Sequence, residues 1–165
     1  MPSCRPRMAT GDLRTLYTDC RGHGRQPPRR ERVPSSITGG CECAEHDALL
    51  ASRDLDSLRV EDVHNAGWDP ICFVTAASFR YYLPALRRLA FESAITEDWY
   101  LPQLLFHLIG DGPQNRRVMG CTAAQQRAVA AALWHVVETR PELIVRCEIA
   151  NDLQKALEIW SAPAS

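Results

Sequence analysis

From Ala44 onward, apolar residues recur every three or four positions, in short runs that glycine and proline interrupt. This spacing places them on one face of an α-helix, whereas a half-buried strand would alternate at every second residue. Two runs are clear: Val129, Leu133, Val136 and Val137, and then Leu143, Cys147, Ala150, Leu153, Leu157 and Trp160. The sequence therefore predicts an all-α fold, an irregular bundle of about five to seven helices forming one domain over residues 41–160, with the second run as a single last helix.

Two hydroxyl residues mark helix starts. Thr75 precedes an apolar helical pattern, and its hydroxyl can accept a hydrogen bond from a helix N–H that otherwise has no partner. Thr122 and Gln125 have the spacing of a capping box, in which each side chain bonds the backbone N–H of the other residue. We therefore expect helices to begin after Thr75 and after Thr122. The apolar run 71–74 predicts either a short strand or a buried connection.

A tyrosine-leucine-proline sequence occurs twice, at Tyr82-Leu83-Pro84 and at Tyr100-Leu101-Pro102. A proline inside a helix costs about 3 kcal/mol, because it removes one hydrogen bond and clashes with the preceding turn. In the first turn of a helix proline is tolerated. The sequence thus predicts that one helix ends near Leu83, that Pro84 begins the next, and that Pro102 begins another.

Residues 1–40 differ in composition from the body that follows. Residues 21–40 hold four Gly and three Pro, which predicts a loop or linker, preceded by one possible short helix. Residues 1–34 hold eight Arg against three acidic residues, a balance of +5, whereas residues 35–165 hold 11 basic and 17 acidic residues, a balance of -6. Nucleic-acid binding through the Arg-rich residues 1–34 is possible, since positive charge attracts phosphates. A solvated, partly disordered arm is favoured over it, and residues 161–165 are predicted to be a disordered tail.

The sequence holds no run of 18 apolar residues that could form a transmembrane helix, and its N-terminus lacks the apolar core of a secretory signal. It therefore predicts no membrane association and a cytoplasmic location. Seven cysteines are an odd number. In a reducing compartment they indicate free or metal-bound thiols rather than a disulfide framework.

The main candidate for chemistry is the segment Cys41-x-Cys43-x-x-His46-Asp47. Thiolate, imidazole and carboxylate groups are the ligands that zinc takes in proteins, so Cys41, Cys43, His46 and Asp47 are a candidate zinc site. Another ligand could come from elsewhere in the chain: Cys20, His23, His64 or Cys72. The alternative is that both cysteines pack as small residues beneath a loop, because structural zinc sites prefer at least two residues between their cysteines.

A second possibility is catalysis by a cysteine nucleophile, which needs a histidine base beside it. The sequence offers Cys72, Cys121 or Cys147 as the thiol, and His107 or His135 as the base. Both histidines lie in apolar helical stretches. A histidine that is bonded within the core, or that lies at its edge, is the commoner outcome in such stretches.

The segment Phe79-Arg80-Tyr81-Tyr82 combines aromatic rings with one cation. On a helix, Phe79 and Tyr82 face the core together, while Arg80 and Tyr81 point elsewhere. Aromatic rings interleaved with arginine can stack on nucleic-acid bases, but the acidic residues that follow this segment argue against that partner. Arg80 and Tyr81 are instead a candidate surface for a protein partner.

Several of these residues also resemble a family pattern: Ser36-Ile37, Cys41-x-Cys43, Asp54-Leu55, Trp68, and Phe73-x-Thr75-x-x-x-Phe79-Arg80-Tyr81-Tyr82-Leu83-Pro84. Together they are similar to a group of small uncharacterised bacterial proteins, in which a Cys-rich turn precedes this Phe-to-Pro helix start. The resemblance covers about residues 36–92. Members of the group often carry a tighter cysteine cluster than the one here. The resemblance implies a fold and assigns no activity.

The sequence contains no nucleotide-binding glycine loop and no serine-hydrolase elbow. Its acidic body is suited to a basic partner. The leading prediction is a non-enzymatic accessory or protein-interaction protein, of immunity or regulatory type, without a cofactor. The alternative is a zinc-dependent hydrolase, or a zinc-stabilised module, centred on the segment Cys41–Asp47.

Overall fold

The computed structural model describes residues 42–65, 67–95, 99–110 and 112–162, and for residues 42, 43, 95 and 113 it describes the backbone alone. Every regular element in these ranges is a helix, which confirms the predicted all-α class. The seven α-helices found there agree with the predicted five to seven. The predicted basic arm over residues 1–40 lies outside the described residues. Of the predicted tail, only residues 161 and 162 are described, and Ser161 still belongs to the last helix.

In chain order the α-helices are α1 (Glu42–Ala51), α2 (Ala76–Glu92), α3 (Leu101–Ile109), α4 (Arg116–Met119), α5 (Ala123–Thr139), α6 (Pro141–Arg146) and α7 (Ala150–Ser161). Short 3₁₀-helices lie between them, at Val60–Asp62, Pro70–Phe73, Ser93–Ile95 and Gly112–Gln114. For residues 71–74, the prediction of a short strand is therefore wrong, because residues 70–73 form a 3₁₀-helix. Among the described residues, no helix has the length and apolar character needed to cross a membrane.

Helix α2 begins as predicted and continues further than predicted. Thr75 is its N-cap, and the Thr75 hydroxyl accepts a hydrogen bond from the Ser78 N–H at 3.2 Å. The helix then runs through Pro84 without a break, so the predicted end near Leu83 is wrong. Large apolar side chains are buried on both sides of the proline: Phe79, Tyr82, Leu83, Leu86 and Leu89. Each contributes about 1.5–3 kcal/mol on burial, so one continuous apolar face outweighs the cost of the proline, about 3 kcal/mol.

Helix α3 begins at the second tyrosine-leucine-proline sequence, with Pro102 in its first turn as predicted. Trp99 and Tyr100 are buried just before it. The Trp99 indole N–H donates to the Ala90 carbonyl at 2.7 Å, near the end of α2. This bond ties the start of α3 to the end of α2.

Helix α5 confirms the predicted capping box. The Gln125 N–H donates to the Thr122 hydroxyl at 3.2 Å, and the Thr122 N–H donates to Gln125 Oε1 at 2.9 Å. The inward side chains are Val129, Leu133 and Val136, as the spacing predicts. They form part of the main core, where α5 packs against α7.

The predicted single last helix is wrong, because α6 and α7 are separate. Glu148 adopts a left-handed conformation with φ of 55°. The Ile149 N–H donates to the Ile144 carbonyl and the Glu148 N–H to the Val145 carbonyl, both at 3.2 Å. This pair of hydrogen bonds is a Schellman motif, which ends a helix and usually has glycine at the left-handed position. Since Glu148 stands there instead, the sequence contains no recognisable stop.

Helix α3 packs against both α2 and α7. Leu108 of α3 is buried, and its carbonyl accepts hydrogen bonds from the Trp160 indole and from the Asn115 side chain, both at 2.9 Å. Trp160 belongs to α7, and Asn115 caps α4. These two hydrogen bonds join α7 and the start of α4 to the same residue of α3.

Candidate functional site

Asp69 is a buried carboxylate that begins the 3₁₀-helix Pro70–Phe73. Its Oδ1 accepts a hydrogen bond from the Ile71 N–H at 2.8 Å, so the side chain caps this helical turn. Only 2% of Asp69 is exposed. Its second oxygen, Oδ2, therefore needs partners from elsewhere in the fold, because an isolated buried charge is costly.

Helix α3 supplies those partners. His107 is fully buried, and its Nε2 lies 2.6 Å from Asp69 Oδ2. The Gln103 amide donates to the same oxygen, also at 2.6 Å. Gln103 and His107 are four residues apart, which places both on the face of α3 that looks toward Asp69.

Arg117 of α4 completes the group from the other side of the imidazole. Its Nη1 lies 3.0 Å from His107 Nδ1 and donates to the His107 carbonyl at 3.1 Å, while Nη2 donates to the Ile71 carbonyl at 3.0 Å. The guanidinium also lies over the Phe79 ring, 4.7 Å from its centre. An arginine can only donate, so His107 Nδ1 must accept and Nε2 must carry the proton donated to Asp69. We call the group Asp69, His107 and Arg117 the polar relay.

Cys72 lies at the edge of the polar relay. The ligand atoms of Asp69, Cys72 and His107 lie within 4.8 Å of one another, close enough to suggest a metal site. A histidine that binds a metal normally donates its other N–H to a carboxylate or carbonyl. Here that other nitrogen faces the Arg117 guanidinium, which is a donor. The chemistry of the group therefore fits an internal ion pair bridged by a neutral imidazole, and it does not fit a metal ion.

Cys72 and His107 are also one of the thiol–histidine pairs that the sequence offered for catalysis. Burial and the charge of Asp69 raise the pKa of the Cys72 thiol, and the charge of Arg117 offsets only part of this rise. A catalytic cysteine has the opposite property, a lowered pKa that favours the thiolate. Both nitrogens of His107 are already hydrogen-bonded. The arrangement thus keeps the thiol protonated and provides no base for it.

The other histidine of interest is His46, on α1, and only 2% of it is exposed. Its ring contacts two aromatic rings, with ring centres 4.2 Å from Trp68 and 4.9 Å from Phe73. The Phe73 ring is nearly parallel to it, at 19°. Within the part of the chain that the structure describes, neither Nδ1 nor Nε2 of His46 has a hydrogen-bond partner.

Of the other three predicted zinc ligands, the structure describes only the side chain of Asp47. Asp47 is exposed and follows His46 on α1. Cys43 belongs to α1 by its backbone, while its side chain and the whole of Cys41 lie outside the described residues. Cys43 precedes both residues by about one turn of α1, but His46 and Asp47 are adjacent, and the structure buries the first and exposes the second. Convergence of the four groups stays a prediction.

The predicted interaction residues, Arg80 and Tyr81, both contact other residues of the same chain. Arg80 is exposed, and its Nη1 donates to the Gly120 carbonyl at 3.1 Å. Tyr81 is half-buried, with its ring edge-on to Tyr82 at 5.0 Å. Burial raises the pKa of the Tyr81 hydroxyl. A role for Arg80 and Tyr81 in binding a partner stays a prediction.

An open groove of about 430 Å³ lies beside the 3₁₀-helix Val60–Asp62 and the C-terminal end of α2. Glu61, His64 and Glu92 supply its ionisable side chains. The C-terminal end of a helix carries about half a negative charge, which adds to that of the two carboxylates. Arg88 offsets part of this charge, with Nη1 2.7 Å from Glu92 Oε2. We call this surface the acidic groove.

Sequence reasoning missed the polar relay and the acidic groove. One signal for the relay was available, because an aspartate directly before a proline is a typical cap of a helical turn. Nothing in the sequence indicated that Arg117, distant by 48 positions from Asp69, would reach the same histidine. The groove is assembled from the segment around Glu61 and the end of α2, and no motif links them.

A family model described as "Family of unknown function (DUF6714)" matches residues 40–163. No curated protein and no solved structure matches the chain. The matched range includes all seven described α-helices, the polar relay, His46 and the acidic groove. Function therefore has to be argued from the sites themselves.

Proposed function

The chain belongs to DUF6714, a family of unknown function, and we propose that it is a non-enzymatic interaction protein whose acidic groove binds a basic segment of a partner protein. The membership agrees with the uncharacterised family that the sequence resembles. The proposal places the protein in the bacterial cytoplasm, where thiols such as that of Cys72 stay reduced. The observation that carries it is the acidic groove at the end of α2.

The state of the reactive groups supports a binding role over a catalytic one. The buried Asp69 and His107 satisfy each other and Arg117. Cys72 has a raised thiol pKa. An enzyme keeps such groups poised for a substrate, whereas here hydrogen bonds within the fold engage the Asp69 carboxylate and the His107 imidazole.

The charge of the groove supports a basic segment as its occupant. Glu61 is exposed, and Glu92 lies at the negative end of α2. Leu89 adds an apolar floor, on which the aliphatic part of an arginine or lysine side chain can pack. The wider body has the same sign, with 17 acidic and 11 basic residues over residues 35–165. Such a field accelerates encounter with a basic partner and disfavours acidic ones.

A titration with two matched peptides tests this proposal in the full-length chain. One peptide is arginine-rich, and the other has glutamate at every arginine position. We expect the basic peptide alone to shift the amide NMR signals of His64, Asn65 and Ser93, with an affinity that falls as salt is added. Glu61→Gln should weaken binding several-fold, since exposed charge pairs contribute about 0.2–1 kcal/mol each. The matched control, Glu138→Gln on the exposed side of α5, should leave the affinity unchanged.

Three results would overturn the proposal. The first is the absence of binding by either peptide. The second is equal weakening by Glu61→Gln and Glu138→Gln, which would indicate attraction to the overall charge rather than to the groove. The third is tighter peptide binding after the arginines of residues 1–34 are changed to glutamine, which would mean that the chain's own basic segment occupies the groove.

A further inference from the structure

We infer that the basic segment bound by the acidic groove is α4 of a second copy of this chain, so that copies associate head to tail. The inference rests on the proposed function of the groove and names its partner. Helix α4 presents two exposed side chains, Arg116 and Met119, and 77% of Met119 is exposed. The groove offers the opposite charge through Glu61 and Glu92.

Helix α4 is held in one orientation by its second arginine. The Arg117 guanidinium points into the fold, where it donates to the carbonyls of His107 and Ile71 at 3.1 Å and 3.0 Å. Successive residues of a helix lie about 100° apart around its axis, so Arg116 lies on a different side of α4, and it is exposed. Because α4 is already fixed, presenting this cation to a partner costs little further ordering.

The chain segments around α4 are basic. Arg80 of α2 adds a second exposed cation, since it donates to the Gly120 carbonyl directly after α4, at 3.1 Å. The sequence contains no Asp or Glu over residues 70–91 and 112–137, which include α4, nearly all of α2 and most of α5. Among the described residues, neither Arg80 nor Arg116 forms an ion pair. Both charges are therefore available to carboxylates of another molecule.

The acidic groove and α4 lie at opposite ends of α2, so they cannot meet within one copy. Gly120, at the end of α4, lies against Ala76, the first residue of α2. Glu92, in the groove, is the last residue of α2. A helix of 17 residues is about 25 Å long, which is more than an arginine side chain spans. The two surfaces can therefore pair only between copies.

The two surfaces also match in size and in their apolar parts. The groove has a volume of about 430 Å³, and ligand pockets have about 300–1,000 Å³. Val60 and Leu89 line it beside the two glutamates. Met119 can pack against them, because an unbranched methionine side chain adapts to an irregular apolar surface.

The charge and symmetry of the contact determine what it builds. The net charge of the chain is -1, so copies repel one another only weakly. A contact between two different surfaces is heterologous, and it leaves one groove and one α4 unoccupied at the two ends of a dimer. Further copies can add there until a ring closes.

Sedimentation velocity of the full-length chain at rising protein concentration tests the inference. We expect the average mass to rise with concentration at low salt, and to fall toward that of the monomer as salt is added. Arg116→Glu and Glu61→Arg should each weaken self-association about tenfold, because each reversal replaces an attraction by a repulsion. The matched control is Arg146→Glu on α6, an exposed arginine outside both surfaces, which should leave self-association unchanged.

Mixing the two charge-reversal variants provides a second readout, which also shows that each variant is folded. Arg116→Glu keeps an unchanged groove, and Glu61→Arg keeps an unchanged α4. An equimolar mixture should therefore associate, although each variant alone stays monomeric at the same concentration.

Four results would overturn the inference. These are a wild-type chain that stays monomeric at every concentration, equal effects of Arg116→Glu and Arg146→Glu, a mixture that does not associate, and loss of self-association when the arginines of residues 1–34 are changed to glutamine. The last result would make residues 1–34 the occupant of the groove. If the basic peptide still binds the monomeric chain, the groove keeps its proposed function and only the partner is wrong, whereas loss of peptide binding overturns both.

Discussion

Among the described residues, the two most buried histidines have opposite surroundings. His107 on α3 has each ring nitrogen engaged, with Nε2 2.6 Å from Asp69 and Nδ1 3.0 Å from Arg117. His46 on α1 contacts two aromatic rings, and its nitrogens have no partner among the described residues. Both are at most 2% exposed. Burial alone therefore does not tell what a histidine does, and the partners of its nitrogens are more informative.

The difference follows from what each helix packs against. The face of α3 that carries His107 meets a capped carboxylate on one side and a guanidinium on the other, so an ion pair surrounds the imidazole. The first turns of α1 meet the rings of Trp68 and Phe73, which offer contact area but no in-plane acceptor. The nitrogens of His107 are hydrogen-bonded within the fold, whereas those of His46 have no partner among the described residues.

The largest effect is expected from removing the cation of the polar relay. Arg117→Ala takes away the donor to His107 Nδ1 and to the carbonyls of His107 and Ile71, and it leaves the buried charge of Asp69 unbalanced. Breaking such a buried pair costs about 3–5 kcal/mol. Urea unfolding of the variant and the wild type measures this difference.

The neighbouring Arg116 provides a matched control for that prediction. Arg116 is exposed on the same short helix, so Arg116→Ala should change the free energy of unfolding by less than about 0.5 kcal/mol. Equal effects of the two substitutions would mean that the relay is not what distinguishes His107 from an ordinary buried side chain.

The next largest effect compares the same substitution at both histidines. His107→Phe should destabilise the fold by about 2–4 kcal/mol, because Asp69 and Arg117 each lose a hydrogen bond. His46→Phe should be neutral or slightly stabilising, since it removes two buried nitrogens that have no partner among the described residues. Urea unfolding of the two variants and the wild type measures both values. If His46→Phe were as destabilising as His107→Phe, the His46 nitrogens would have a protein partner and the contrast between the two histidines would fail.

The sequence predicted the fold where a local rule decides it. Thr75 and the Thr122–Gln125 box predicted helix starts correctly, because a cap depends only on residues within one turn. The prediction failed at Pro84 and Glu148. At Pro84, burial of one apolar face along the whole of α2 outweighs the local cost of a proline inside a helix. At Glu148, the Schellman hydrogen bonds hold a residue in the left-handed conformation although its type rarely adopts it.

The candidate site was less predictable for the same reason. His46 could be selected from its spacing to Cys43, since both lie within one turn of α1. The polar relay joins a turn at Asp69 to helices that begin at residues 101 and 116, and only the packing of those helices brings Arg117 to His107. The spacing of residues along the chain does not indicate such a contact.

The smallest effect concerns Cys72, the thiol beside the relay. Burial and Asp69 raise its pKa above that of an ordinary cysteine, about 8.5. Only the thiolate reacts with iodoacetamide. Alkylation of Cys72 should therefore be slower than that of a short cysteine peptide at neutral pH, and should still be rising with pH when the peptide has reached its maximum. Mass spectrometry of the modified chain follows this one site.

The direction of that shift distinguishes two roles for His107. If His107 took the proton of Cys72, the thiolate would be stabilised. The alkylation rate would then reach its maximum at a lower pH than that of the cysteine peptide, as in cysteine enzymes. A neutral His107 held between Asp69 and Arg117 has no free nitrogen to do so, and the carboxylate of Asp69 disfavours a second negative charge nearby. The same carboxylate, with burial, raises the pKa of Tyr100. A late alkylation profile for Cys72 would thus show that His107 is a structural group, which joins the turn at Asp69 to α3, and that it is not a base for the thiol.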